Sequence, residues 1–179
     1  MKTAICIKRV PDTEARVRGA GDSVDTGGAK FIVSPYDEFA AEAALRLRDA
    51  ADGGETVAVS LGDDSVGEQL RSVLAMGADR AIRLDGEGSI DGLETARALA
   101  AGLRDEGFDL ILFGSKAADD DQQQVGPMVA ELLGLPCVTV VAEMEVEDGT
   151  VVCHREIEGG TEIVEVELPA VVTITKGPY

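Results

Sequence analysis

The chain reads as short apolar runs separated by stretches whose apolar residues recur at helical spacing. Thr3 to Val10 is a first apolar run, with the basic pair Lys8-Arg9 near its end, and predicts a strand. Residues 11 to 33 are rich in Gly and Asp and close on the β-like Lys30-Phe31-Ile32-Val33. Ser34-Pro35-Tyr36-Asp37-Glu38 then carries three helix-start signals: a Ser at N-cap, Pro at the first helical position and acids in the first turn. That helix extends to about Ala51, with Phe39, Ala43, Leu45 and Leu47 among its apolar positions, and Gly53-Gly54 stops it. Thr56 to Leu61 predicts the second strand, and a helix from about Asp64 carries Val66, Leu70, Val73 and Leu74 before Gly77 ends it. Arg80 to Leu84 is a third strand, Ile90 to Asp105 a helix, and Leu110 to Phe113 a fourth strand. A loop, a helix from about Gln122 to Leu133 and a strand from Cys137 to Val141 follow.

This alternation predicts an α/β fold built on an open, mostly parallel, doubly wound sheet with helices on both faces. The last part changes period. Val140 to Val146, Val151 to Ile157 and Thr161 to Val166 alternate apolar and polar residues, joined at Asp148-Gly149 and Gly159-Gly160. Both junctions are hairpin signals, so an antiparallel meander is appended before a final apolar run, Ala170 to Ile174. With no internal repeat, low-complexity tract or linker, residues 1–179 read as one domain.

Composition refines this picture. The chain has no Trp and only 3% aromatic residues, so its core must be built from Ala, Val, Ile and Leu, which suits buried parallel strands. A domain of this size buries roughly 70% of the surface its unfolded chain exposes and needs no staples. The net charge of −18, from 34 acidic and 16 basic residues, repels nucleic acid and anionic lipid. It suits a partner with a basic face, and equally a generally acidic proteome. Cys6, Cys137 and Cys153 lie in β-type runs without CxxC spacing, and read as small buried hydrophobes in a reducing compartment. The first apolar run is too short for a signal peptide, and no run approaches 18 apolar residues, so a cytoplasmic protein without membrane insertion is expected.

In an open α/β sheet, ligands bind at the carboxyl ends of the strands near a topological switch. The loops to weigh therefore follow Val10, Leu61, Leu84 and Phe113. The last reads Gly114-Ser115-Lys116-Ala117-Ala118-Asp119-Asp120-Asp121-Gln122-Gln123-Gln124-Val125-Gly126-Pro127-Met128. Gly114 permits close backbone approach, and the segment enters a helix whose free N–H groups favour phosphate. The Gln amides suit an adenine or a ribose. Three consecutive aspartates oppose an anion unless they point away, cap the helix or bind ribose hydroxyls. A plain capped, acidic helix start and a phosphate-facing one both remain open here. Pro11 to Glu14, beside Lys8-Arg9, reads either as a rim turn or as part of a site, and Gly62-Asp63-Asp64 is a short capped turn. His154, the single histidine, falls on the meander and builds no catalytic set. The acids lack metal-ligand spacing, and no nucleophile accompanies the adjacent carboxylates. A carrier or binding role is thus favoured over an enzyme.

Taken together, these segments resemble the beta subunit of electron transfer flavoprotein. The resemblance runs through the chain: Lys8-Arg9-Val10-Pro11-Asp12-Thr13, Ser34 to Glu38, Glu42 to Leu47, Leu74 to Ala81, Asp109 to Gly114, Ala117 to Asp121, Gln124 to Met128, Gly159 to Glu162 and Leu168 to Thr173. It implies a nucleotide-binding α/β domain of the adenine-nucleotide-binding type. The family pairs with an alpha subunit that holds most of an FAD, while the beta subunit holds a structural AMP. The pair takes electrons from flavoprotein dehydrogenases, such as acyl-CoA dehydrogenases, and passes them to a quinone oxidoreductase. Carried over by position, the AMP contacts are Cys6, Ser34, Pro35, Tyr36, Asp37, Leu61, Gly114, Ala117, Asp120, Gln123, Gln124 and Val125, and Thr13 falls near the flavin. A bifurcating branch holds a second FAD in place of AMP and tends to carry Gly within the aspartate run; Asp119-Asp120-Asp121 is unbroken here, which favours AMP. Ser34 and Gln123 stand where Asn is usual, and Ser115-Lys116 replaces a Lys-Gln or Arg-Gln pair. The family continues past the final strand into a Lys-rich docking loop and a C-terminal arm; the expectation is either a sequence cut short of them or a protein without them. The alternative is a stand-alone adenine-nucleotide-binding protein resembling universal stress proteins, although their Gly-rich phosphate signature after the fourth strand is absent. An enzyme of nucleotide chemistry finds no catalytic set.

Overall fold

The computed structural model describes residues 1–51, 53–86 and 91–176. Its elements in chain order are β1 Lys2–Cys6, β2 Arg9–Pro11, β3 Arg18–Ala20, β4 Ser23–Asp25, β5 Phe31–Val33 and α1 Pro35–Ala50. Next come β6 Glu55–Leu61, a 3-10 turn Asp64–Val66, α2 Gly67–Met76, β7 Arg80–Leu84, α3 Gly92–Leu103, β8 Leu110–Gly114 and α4 Val125–Leu133. The chain closes with β9 Cys137–Glu147, β10 Thr150–Ile157, β11 Gly160–Glu167 and β12 Ala170–Ile174.

The main sheet has the order β11-β10-β9-β12-β8-β1-β6-β7. From β9 to β7 every pairing is parallel, while β9, β10 and β11 form the antiparallel meander at one edge. Helices cover both faces because the buried strands are apolar on both sides. Ile5, Ala58, Leu110 and Leu112 meet Ala40, Ala44, Leu70 and Val73 of α1 and α2. Ala4, Cys6, Val57 and Ile111 meet Ala96, Leu99, Val129 and Ala130 of α3 and α4. Alternate residues of one strand thus serve two cores. Many of the helix residues are alanines, which let the helices lie close to the sheet.

Several elements differ from the sequence reading. The first apolar run is not one strand: β1 ends at Cys6, because the Lys8 N–H donates to Asp37 Oδ2 (2.8 Å) and the chain turns to pair β2 with β5. The exposed β3–β4 hairpin, turning at Gly21 (φ 66°), had no apolar alternation to reveal it. The helix expected from Gln122 begins at Val125, because Asp121 (φ 58°) and Gln123 (φ 55°) take left-handed backbone that no α-helix accommodates. Cys137–Val141 and Val140–Val146 form a single strand, β9, bent at Val140 (φ 58°). Its first half pairs with β12 and its second with β10. The Val140 N–H, turned out of the ladder, donates to Thr173 Oγ1 (3.0 Å). The second hairpin turns at Glu158-Gly159, one residue earlier than expected, since Ile157 pairs with Gly160. Cys137 is exposed, against the expectation of burial, because it opens β9 at its outer end. The start of α3 expected at Ile90 lies outside the described residues; Asp91 caps the helix through the N–H groups of Leu93 and Glu94.

Candidate functional site

The strand order places a switch point between β1 and β8. From β1 the chain winds outward through β6 and β7, then returns to the other side of β1 as β8. The connections at the carboxyl ends of β1 and β8 therefore diverge and leave a crevice, the usual ligand position in such sheets. Here it is a cleft of about 1340 Å³, walled by the strand ends, the loop after β8 and the starts of α3 and α4.

Asp37 sits at its base, 6% exposed, in the first turn of α1. One carboxylate oxygen accepts the Lys8 N–H (2.8 Å) and the other accepts the Gly114 N–H (2.9 Å). Burial pushes this carboxyl up to about 7, against the two N–H bonds and the Lys8 charge, which favour its ionised form. Gly114 is required by this approach: a Cβ there would collide with Asp37 Oδ1 and lie 2.7 Å from both Asp37 N and Tyr36 C. The close neighbour of Gly114 is thus the helix α1. Cys6, beside them on β1, has its thiol pushed far up by burial and by Asp37.

The three aspartates are accounted for by two lysines. Lys8 Nζ lies 2.7 Å from Asp119 Oδ1 and 2.8 Å from Asp120 Oδ2, and Lys116 Nζ lies 2.8 Å from Asp121 Oδ1. Each of the three carboxylates is thus paired with a lysine. Ser34 occupies the N-cap position of α1 but makes no side-chain cap; its fully buried hydroxyl accepts the Ala118 N–H (3.3 Å) and ties the loop down. Val125, Gly126 and Met128 bring the N-terminus of α4 to the cleft wall. The first N–H groups of a helix lack partners within it, which makes this wall a donor surface for an anion. Gly126 serves packing, since a Cβ there would lie 2.7 Å from Thr173 Cγ2. Gln124 bonds Gln122 and reaches over Gly92, whose missing side chain leaves room for its amide.

Of the residues expected from sequence, Cys6, Thr13, Asp37, Leu61, Gly114, Ala117, Asp120, Gln123, Gln124 and Val125 line this one cleft. Ser34 lies beneath the loop. Pro35 and Tyr36 line a separate, shallower pocket of about 470 Å³ with Thr13, Phe39, Lys116 and Thr175. Sequence reasoning left Lys8 as one of two readings of a rim pair and did not single out Asp91 or Gly92. The strand-end position of Lys8 was the available signal; nothing local announced the other two. His154 sits half-buried on β10 and does not line the cleft. Among the described residues no cluster of His, Cys, Asp and Glu could hold a metal ion, and no helix is long and apolar enough to cross a membrane.

Residues 23–179 match the family model of the electron transfer flavoprotein domain. The chain belongs to the electron transfer flavoprotein beta-subunit family. Over 97% of its length it is 40% identical to an electron transfer flavoprotein subunit beta of Syntrophomonas wolfei, covering 69% of that protein. It is 39% identical to the subunit beta of Bradyrhizobium diazoefficiens over 97% of its length and 70% of the relative. A caffeyl-CoA reductase-Etf complex subunit of Acetobacterium woodii is 38% identical over 98% of the chain and 69% of that subunit. Electron transfer flavoproteins are electron carriers, and the role of this chain is that of their beta subunit, which implies an alpha-subunit partner.

Proposed function

We propose that the switch-point cleft holds AMP as a structural nucleotide, and that the chain, paired with an alpha subunit, helps hold a shared FAD. Electrons would then pass from flavoprotein dehydrogenases to a quinone oxidoreductase, in a compartment such as the cytoplasm. The observation that supports this reading is the loop from Gly114 to Val125. Its acids are paired with Lys8 and Lys116, and the N-terminus of α4 stands at the cleft wall. An anion there meets helix N–H groups, while the ion pairs to lysine weaken the repulsion from the carboxylates. Gln123, Gln124 and Asp120 supply amide and carboxylate groups suited to ribose hydroxyls and an adenine edge. Thr13 lines both this cleft and the shallower pocket beside Tyr36, so a flavin brought by the partner would meet it at the rim. FAD, when bound, supplies the redox chemistry; the residues named here bind and orient.

The chain co-expressed with its genomic neighbour should give a yellow complex that releases AMP on denaturation, in near-equal ratio to the chain, by chromatography and mass spectrometry. FAD released in excess of one per complex would put flavin in the AMP site, as in the bifurcating branch. A stable colourless monomer carrying nucleotide would favour a stand-alone nucleotide-binding protein. Recovery of no nucleotide would remove the proposal.

A further inference from the structure

We propose that Asp37 is the positioning residue of this cleft, holding the ends of β1 and β8 in register through their main-chain N–H groups and not by touching the nucleotide. The proposal rests on the nucleotide reading above. Its geometry is specific. Asp37 lies on α1, whereas Lys8 follows β1 and Gly114 ends β8, the two strands whose divergence opens the cleft. Each carboxylate oxygen takes one of the two N–H groups, at 2.8 and 2.9 Å. Both oxygens thus already serve as acceptors, and a buried carboxylate has no donor to offer a phosphate. The same residue fixes both partners of the site wall. Lys8 carries the ion pairs to Asp119 and Asp120, and Gly114 starts the loop that lines the cleft.

Only an ionised carboxylate can accept both N–H groups at full strength. Protonation converts one oxygen into a donor that faces an N–H, so one strand end loses its hold. The groups facing Asp37 are Lys8 and Cys6 from the β1 side and Asp119 from the loop after β8. Lys8 favours the ionised form, Asp119 opposes it, and burial dominates, which sets the transition at about 7. The clamp is therefore complete above that pH and opens below it.

The test compares the purified complex with its Asp37→Asn variant, which keeps the shape but replaces one acceptor with an NH2. Hydrogen exchange by mass spectrometry follows the segments containing Lys8 and Gly114 from pH 6 to 9, corrected for intrinsic rates. AMP release into excess unlabelled nucleotide is timed in parallel. Both wild-type amides should be protected at pH 8 and one of them should lose protection through pH 7, whereas in the variant one of the two is unprotected throughout. At pH 8 the variant should release AMP on the order of tenfold faster, the two rates converging near pH 6. The second ionisation of the phosphate, near 6, is common to both proteins and cancels in the comparison. Equal release rates at pH 8 overturn the proposal. So does protection in the wild type that is flat across pH 7, a reading that stands even if the variant does not fold. A wild-type complex without AMP would sink the nucleotide reading instead, and exchange alone would then judge the clamp.

Discussion

Replacing Gly114 with Ala is the most direct challenge to the way the strand ends and α1 are joined. The added methyl would collide with Asp37 Oδ1 and lie 2.7 Å from Asp37 N and from Tyr36 C. Two of these neighbours are backbone atoms of the first turn of α1, so no side-chain rotation relieves the overlap. Overfilling a packed site costs about 1–3 kcal/mol. Moving α1 away also stretches the N–H to carboxylate bond between Gly114 and Asp37, and a hydrogen bond to a charged group contributes about 1.5–3 kcal/mol. The two terms together predict a loss of about 2.5–6 kcal/mol, a large fraction of the ~5–15 kcal/mol stability of an ordinary domain. With a urea slope near ~2 kcal/mol per molar, the unfolding midpoint should fall by about 1.3–3 M at unchanged slope. Gly67→Ala is the internal control: that residue starts α2 at φ −62°, and its nearest neighbour would be the flexible Arg71 guanidinium at 3.7 Å. It should leave the midpoint unchanged or raise it by up to about 1 kcal/mol of stability. If Gly114→Ala unfolds at the same urea concentration as the control, the approach of α1 does not restrict this position, and the reasoning fails.

Two further outcomes follow from the same contacts. Lys8→Met removes the partner of Asp119 and Asp120. The pairs are partly exposed and hold little stability, ~0–1 kcal/mol, so the urea midpoint should barely move. Calorimetry on the nucleotide-freed complex should nevertheless show AMP affinity lower by at least about tenfold, because two carboxylates now face the anion; unchanged affinity would contradict the role given to Lys8. Native labelling with a maleimide should modify Cys137, which is exposed, and spare Cys6 and Cys153, which are buried, until the chain is unfolded. Comparable labelling of Cys6 in the native protein would refute its placement.

Much of the fold was legible in order and type. The strands β6, β8 and β12 were recognisable to within about a residue because a parallel sheet covered on both faces demands continuous apolar runs. Helix α1 was legible from Ser34-Pro35 and its acidic first turn, although Ser34 proved to hold the loop after β8 and not the helix. The meander was legible from its alternation and from Asp148-Gly149, both residues of which have positive φ. The β3–β4 hairpin was not, because an exposed strand pair of three residues on each side has no buried face to impose a period. Nor was the bend at Val140, since a β-branched residue in left-handed backbone runs against local preference and is held by Thr173, 33 residues away.

The candidate site divides along the same line. Ten of the thirteen residues expected from sequence line the cleft, because strand ends and a helix start are local features, and the family resemblance implies a nucleotide there. What those residues do to one another was not legible in the sequence. The three aspartates looked unsuited to an anion until Lys8, 111 and 112 residues away, was found between two of them. The sequence by itself determined the order of elements, the class of the sheet and the family, because periodicity and turn chemistry act over a few residues at a time. Only the tertiary structure decided that Asp37 would reach Lys8 and Gly114, 29 and 77 residues distant, since strand order alone brings those chain ends together. A buried carboxylate is tolerable only where such donors meet it, and no spacing along the chain specifies that meeting.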